Sequence, residues 1–346
     1  MLQRPLESFR DLASALGEFL ISAAAIVIAG SFLTRFADAI SEITGLGRLV
    51  IGSVLLAGAT SLPELTVDIS AVRMGLADLA VGDLLGSSLM NLLILAVLDL
   101  LYRSHGRMLS RQAAAHALSG LVSAALTTLV ALGLLTGTAL EPYTIAGLSP
   151  AVILVGIAYL LGVRLVYLDQ RMAIRTAKEQ GQHEILAPAG IGLGKAILGF
   201  AVCAAIIFLA GPRLAAAGGE LAELSGLGDT FVGTTLVALS TSLPELVSTL
   251  AALRLGAPDL AIGNVFGSNA FNMVLVVPLE IVQPGSLLAL VSSKHAITCI
   301  SAVLATHVVV MGQLYQVESR SRLIEPDAWL VILIVMGALG LIYYVP

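Results

Sequence analysis

Two stretches of this chain read almost alike: GSVLLAGATSLPELTVDISAVRMGLADLAVGDLLGSSLMN at residues 52–91 and GTTLVALSTSLPELVSTLAALRLGAPDLAIGNVFGSNAFN at residues 233–272. They align without a gap at an offset of 181, and 19 of the 40 positions are identical. Chance does not produce this, so the chain carries an internal duplication. Weaker matches continue upstream, where Phe19, Ala29, Gly30, Glu42, Gly45, Leu46 and Gly47 recur as Phe200, Ala210, Gly211, Glu223, Gly226, Leu227 and Gly228.

Around these repeats the chain is apolar. Of its 346 residues 58% are hydrophobic and 12% charged, with a mean hydropathy of +0.97. A soluble domain needs more charge than this to cover its exterior. Apolar runs of about 20 residues recur throughout, each long enough to cross a bilayer. Backbone groups in lipid must pair within their own segment, which predicts helices. No pattern of short alternating strands suggests a barrel. The reading is an all-α membrane protein of ten transmembrane helices, near residues 18–37, 47–72, 77–101, 112–136, 145–167, 191–217, 229–253, 258–282, 293–314 and 327–345.

A polar connection falls between the fifth and sixth predicted spans and carries Arg171, Arg175, Lys178, Glu179 and Glu184. It divides the chain into a first five-helix repeat (1–168), a linker (169–190) and a second repeat (191–346). An odd number of spans per half inverts the second repeat relative to the first. Placing the arginines and lysines on this plan puts thirteen on the linker side and five on the side of the termini. That bias makes the linker cytoplasmic and both termini external, as in a prokaryotic inner membrane. Residues 1–18 are mixed in charge and lead into an ordinary span, so no cleavable signal is expected. Cys203 and Cys299 sit in apolar segments and read as small core residues.

TSLPEL at Thr60–Leu65 and Thr241–Leu246 falls in the middle of the second and seventh spans. Pro63 and Pro244 each remove a backbone donor and crowd the preceding turn, so both helices should be discontinuous there. Carbonyls around Ala57 to Thr60 and Ala238 to Thr241 then become available to line a cavity. Each proline is followed by a glutamate. A carboxylate at mid-membrane costs roughly 2.5–3.5 kcal/mol on insertion scales unless something compensates it. No lysine or arginine occupies the interior of these spans, so Glu64 and Glu245 call for a bound cation or a proton. A packing kink would explain one such motif; two symmetric copies flanked by hydroxyls point to a site.

The third and eighth spans add GDLLGSSLMN and GNVFGSNAFN. Gly82, Gly86, Gly263 and Gly267, at spacing four, form a small-residue face for close helix packing. Ser87 with Asn91, and Ser268 with Asn272, share a face four residues apart. Their oxygens would complete a cage around the two glutamates. Hydroxyl, amide and carboxylate oxygens without histidine or thiolate suit hard cations such as Ca²⁺ and Na⁺. Arg73 and Arg254, with Asp78 and Asp259, recur in the short loops after the broken spans and read as interfacial anchors or loop ion pairs. His105, His116, His183, His295 and His307 show no repeat symmetry in the alignment.

At GATSLPEL with GDLLGSSLMN, and ALSTSLPEL with GNVFGSNAFN, the chain resembles the calcium/cation antiporter superfamily, in particular the bacterial or archaeal type of its sodium/calcium exchanger branch. The resemblance implies exchange of Ca²⁺ for Na⁺ by alternating access. It further implies that Glu64 and Glu245 hold Ca²⁺ with the backbone carbonyls of Thr60 and Thr241. Sodium would be held by Ser61, Ser242, Ser87, Ser268 and the carbonyls of Ala57 and Ala238, with Asn91 and Asn272 completing the set. Three positions depart from the pattern. Asn272 stands where some exchangers carry aspartate, Asp83 replaces an asparagine that Asn264 keeps, and Ser88 stands opposite Asn269. Asp83 is thus an extra candidate ligand, and it brings proton coupling or another divalent cation into view. A channel with the same acidic constriction and an intramembrane enzyme are the competing classes; the chain offers no asymmetric nucleophile for the latter. The expected partners are Ca²⁺, Na⁺ or H⁺ and the lipid bilayer, with no cofactor and no nucleic acid. Oligomeric state is not legible.

Overall fold

Proline and glycine set the punctuation of this chain. The computed structural model describes residues 3–101, 116–179, 190–225, 239–283, 285–314 and 326–344. After the long first helix α1 (Gln3–Thr44), α2 (Arg48–Thr60) and α3 (Leu62–Arg73) meet at a 42° bend. Pro63 lies in the first turn of α3, a position where its missing N–H is harmless to its own helix. The same proline deprives the Ala59 carbonyl of its helical donor and ends α2. Ser61, between the two, takes φ −89° and ψ 10°, outside the helical basin. Ser242 repeats this at φ −79° and ψ 1° before α8 (Leu243–Arg254).

Each broken span is followed by the same turn. Gly75 and Gly256 adopt φ +80° and +68°, a left-handed conformation that glycine tolerates without a Cβ penalty. The turn closes helix α3 with Leu76 N–H donating to the Ala71 carbonyl, and α8 with Ala257 N–H donating to that of Ala252, both at 2.9 Å. This is the Schellman pattern of helix termination. It delivers the chain directly into α4 (Ala77–Leu101) and α9 (Pro258–Val274).

The remaining helices are α5 (Ala117–Leu140), α6 (Pro150–Glu179), α7 (Leu193–Ser225), α10 (Val276–Val282), α11 (Leu287–Leu290), α12 (His295–Leu314) and α13 (Pro326–Tyr344). Among the described residues seven helices are long and apolar enough to cross a membrane, or eight with the bent pair counted as one span. The expectation of an all-helical membrane protein therefore holds. Several boundaries shift. α6 starts at Pro150, after a tight turn closed between Ile145 and Leu148, and runs into the predicted linker as far as Glu179. The eighth predicted span is interrupted at Leu275, because Pro278 cannot donate to the Val274 carbonyl.

Burial sorts the helices by role. Two thirds of the apolar windows of α4 and of the α9–α10 span are buried, against 22% for α1 and α7. The first pair is the centre of the molecule and the second its lipid-facing flank. α1 and α7 lie along one another and pass over the breaks: α1 packs on α8 and α7 on α3. Glycine allows this close passage. A Cβ at Gly211 would clash with the ring of Pro63, and one at Gly30 would stand 3.1 Å from Val247. These two glycines are repeat counterparts, so both halves use the same device.

Candidate ion-binding site

The central helices meet the breaks through bare backbone. A Cβ on Gly52 would stand 2.6 Å from the Leu260 carbonyl oxygen, and one on Gly263 would stand 2.8 Å from that of Leu49. Gly267 likewise faces the backbone of Ser53. The small-residue face read from the sequence is thus real on α9, where it seats the segment Ile51–Leu56. That segment is π-helical, a wide turn that recurs at functional sites. The packing partner expected for Gly82 and Gly86, at 233–238, lies outside the described residues, as does Ala238 itself.

This contact brings the polar residues together in the interior. Glu64, Glu245, Thr60, Thr241, Ser61, Ser242, Ser87, Ser268, Asn91, Asn272 and Asp83 are all buried, as is Ala57. The cage spans both halves. Ser61 Oγ donates to Glu245 Oε1 at 3.0 Å, and Ser268 Oγ approaches the same oxygen at 3.4 Å. Thr60 Oγ1 lies 3.1 Å from the Ala57 carbonyl and 3.4 Å from Asn264 Oδ1. In the mirror position, Thr241 Oγ1 donates to Asp83 Oδ1 at 3.4 Å. Asn91 Nδ2 donates to Asn269 Oδ1 at 3.0 Å, and Asn269 Nδ2 to the Ser88 carbonyl at 3.1 Å. The carbonyl of Ala57 also accepts the N–H of Ser61, so proline does not strip it of partners as the sequence suggested.

What remains unpaired is informative. Among the described residues Glu64 Oε2, Glu245 Oε2, Ser87 Oγ, Ser242 Oγ, Asn91 Oδ1 and both polar atoms of the Asn272 amide meet no hydrogen-bond partner. Native interiors seldom leave such groups orphaned. All but the Asn272 amide nitrogen can offer a lone pair. Neither glutamate pairs with a cationic side chain among the described residues, and no three of His, Cys, Asp and Glu converge there into a compact metal-binding group. An ion held here would therefore be ligated by the two carboxylates together with hydroxyl and amide oxygens.

A buried acid beside the cage escaped the sequence reading. Asp68, one helical turn after Glu64, is 0% exposed, and neither of its oxygens meets a donor among the described residues. Its carboxyl lies within reach of that of Asp83, and both act electrostatically on Glu64. The repeat counterparts are Thr249 and Asn264, which bond each other at 3.1 Å. The available signal was an aspartate in an apolar span at i+4 from a functional glutamate, with threonine in the second copy.

The loop aspartates also differ from expectation. Asp78 and Asp259 pair with His295 and His116 rather than with Arg73 and Arg254.

A helical membrane protein whose interior holds two glutamates with no cationic partner among the described residues, in a cage of oxygens, has the make-up of an ion transporter. This chain belongs to the sodium/calcium exchanger protein family, whose model matches residues 14–167 and 195–345. It is 29% identical over 289 residues to the inner membrane protein YrbG of Escherichia coli, covering 82% of this chain and 84% of that one. Over a shorter stretch of 59 residues, 17% of either chain, it is 56% identical to the sodium/calcium exchanger MaX1 of Methanosarcina acetivorans. Its fold matches the solved structure of the sodium-calcium exchanger NCX_Mj with a TM-score of 0.68 at 17% identity, covering 97% of this chain and all of that one.

Proposed function

We propose that this protein is a secondary active antiporter that exchanges Ca²⁺ for Na⁺ by alternating access. The observation that carries the reading is the pair Glu64 and Glu245, each buried with an oxygen that meets no hydrogen-bond partner among the described residues. Two ionised glutamates present about two negative charges, which one Ca²⁺ or a set of Na⁺ ions neutralises. The two loads share ligands and exclude each other, which makes exchange obligatory. Thr60, Thr241, Ser61, Ser242, Ser87, Ser268, Asn91 and Asn272 supply the remaining oxygens, with Ala57 and Ala238 contributing carbonyls.

The proposed architecture is ten spans as two inverted five-helix repeats, with the linker cytoplasmic and both termini external in an inner membrane. Matching breaks, matching glycine turns and matching close passages in the two halves support it. Motion is a sliding of α1 and α7, weakly buried and close to the breaks, across the central helices. An empty cage keeps buried charge, so it crosses slowly without cargo.

A second reading, proton-driven exchange of Ca²⁺ or another divalent cation, draws on the neighbouring carboxyls of Asp68 and Asp83. Both kinds of drive are separated by one assay. Purified protein in liposomes is given Na⁺, K⁺ and H⁺ gradients one at a time while Ca²⁺ uptake is followed. Uptake driven by an outward Na⁺ gradient at clamped pH is expected; uptake that follows only the pH gradient overturns sodium coupling in favour of the second reading. Flux without coupling to either would make the protein a channel.

A further inference from the structure

Two histidine–aspartate pairs lie apart from the cage and join one half of the chain to the other. His295, the first residue of α12 in the second half, places Nε2 3.0 Å from Oδ1 of Asp78 in the first turn of α4. His116, at the N-cap of α5 in the first half, places Nε2 2.8 Å from Oδ1 of Asp259 in the first turn of α9. Asp78 and Asp259 are exact repeat counterparts at the 181 offset, whereas the histidines miss that register by two residues. The sequence alignment therefore hides a symmetry that space restores.

Each pair grips the entry of a helix that carries ligands. α4 bears Ser87 and Asn91, and α9 bears Ser268 and Asn272. A tilt at the first turn of either helix would move those side chains relative to Glu64 and Glu245. Asp78 has a further hold, since its Oδ1 accepts the backbone N–H of Ser292 at 2.7 Å. The loop that opens α12 is thereby tied to α4 twice.

The two pairs differ in their access to water. The side chain of His116 is 2% exposed and its Nδ1 is buried without a partner among the described residues. A proton on that nitrogen would face no acceptor there. The side chain of His295 is 18% exposed and that of Asp78 62%. Histidine changes charge between about pH 5 and 8, and an imidazolium binds a carboxylate more strongly than a neutral ring does.

The geometry points to His295 and His116 as positioning residues for transport, the buried pair a fixed clip and the exposed His295–Asp78 pair an adjustable one. Acid on the face that carries His295 tightens the clip and speeds exchange; acid on the other face leaves it untouched. The groups around His295 fit this role. Asp78 comes from α4, and Lys294 precedes His295 in the chain. The last turn of α13 carries no basic residue. At His116, α9 brings Asp259.

This inference rests on the antiport reading, so the test has two arms. In liposomes of uniform orientation, Ca²⁺ exchange is measured while pH is stepped from about 5 to 8 on one side at a time. The ratio of wild-type to His295→Gln rates should change roughly two- to fivefold across that range on the His295 face, the factor an exposed ion pair supplies, and stay flat on the other. His295→Lys, which keeps a permanent charge opposite Asp78, should retain the acid-side rate at every pH. His116→Gln should lower the maximal rate without altering the sided profile. The second arm needs no transport: hydrogen exchange at residues 77–82 should be faster in His295→Gln than in wild type and restored in His295→Lys. An unchanged pH profile in His295→Gln, equal responses on both faces, or unchanged exchange at 77–82 would each overturn the clip. If wild type moves no Ca²⁺, the antiport reading falls, and the exchange arm still decides whether the clip exists.

Discussion

Asp83 and Asn264 occupy the same place in the two repeats and live in opposite circumstances. In the second half, the Asn264 amide donates to Ser248 Oγ at 3.0 Å and to Thr249 Oγ1 at 3.1 Å, while Ser248 donates to the Pro244 carbonyl at 2.7 Å. The break of α8 is thus tied to α9 by a satisfied polar network. In the first half the corresponding residues are Val67, Asp68 and Asp83. Two carboxyls there replace an amide and a hydroxyl, and three of their four oxygens find no donor among the described residues. The glutamates show the same inequality: Ser61 reaches Glu245, whereas Ser242 Oγ meets no partner among the described residues. Duplication supplied two similar frames, and substitution made one of them rigid and the other chemically open.

Five variants would break or sharpen this contrast. The largest effect is expected at the shared residues: Glu64→Gln and Glu245→Gln should each reduce gradient-driven Ca²⁺ uptake to background, because either removes charge that the cargo must neutralise. If one of them retained uptake, the halves would not contribute equally to the cage.

Asn264→Asp gives the second half the carboxylate of the first. It removes two donated hydrogen bonds and faces acceptors with a carboxylate, which should cost about 2–4 kcal/mol for two bonds at roughly 1–3 each in a buried site, less what relaxation recovers. A lowered melting temperature in detergent would register it, and unchanged stability would mean the network is not what stiffens α8 against α9.

Gly211→Ala probes the close passage over Pro63. The added methyl must displace α7 or α3, at a cost of about 1–3 kcal/mol. Exchange should slow more than Ca²⁺ binding weakens, since the contact lies between a sliding helix and the break. Equal loss of both would place the damage in the cage itself.

The smallest change is expected from the double variant Asp68→Thr with Asp83→Asn, which gives the first half the residues of the second. Buried carboxyls without donors are costly, and the threonine and asparagine that would replace them bond each other in the second half. Thermal stability should hold or rise, and Ca²⁺ exchange driven by sodium should persist. Loss of exchange in a stable variant would make these acids part of the cargo site.

How much of this was legible in advance follows from the kind of interaction involved. TSLPEL names both the break and the charge within one turn, so the discontinuous helices and the two glutamates could be read directly. The glycine spacing on α9 was equally local. Asp68 was missed because a lone aspartate in one repeat carries no symmetry signal. The histidine clips were missed because each joins residues far apart in the chain, and the two-residue slip concealed their equivalence. Ala57 was read as stripped of its donor, but Ser61 lies close enough to supply one.

The duplication, the helical membrane class and the proline-broken glutamate motif were determined by sequence alone. Each follows from backbone chemistry and hydropathy acting over at most a few turns. Tertiary structure decided which atoms of the cage are already paired, that Asp68 is buried beside it, and that Asp78 and Asp259 seek histidines across the halves. Those outcomes depend on distances set by helix packing, where one glycine against one backbone fixes which side chains can meet.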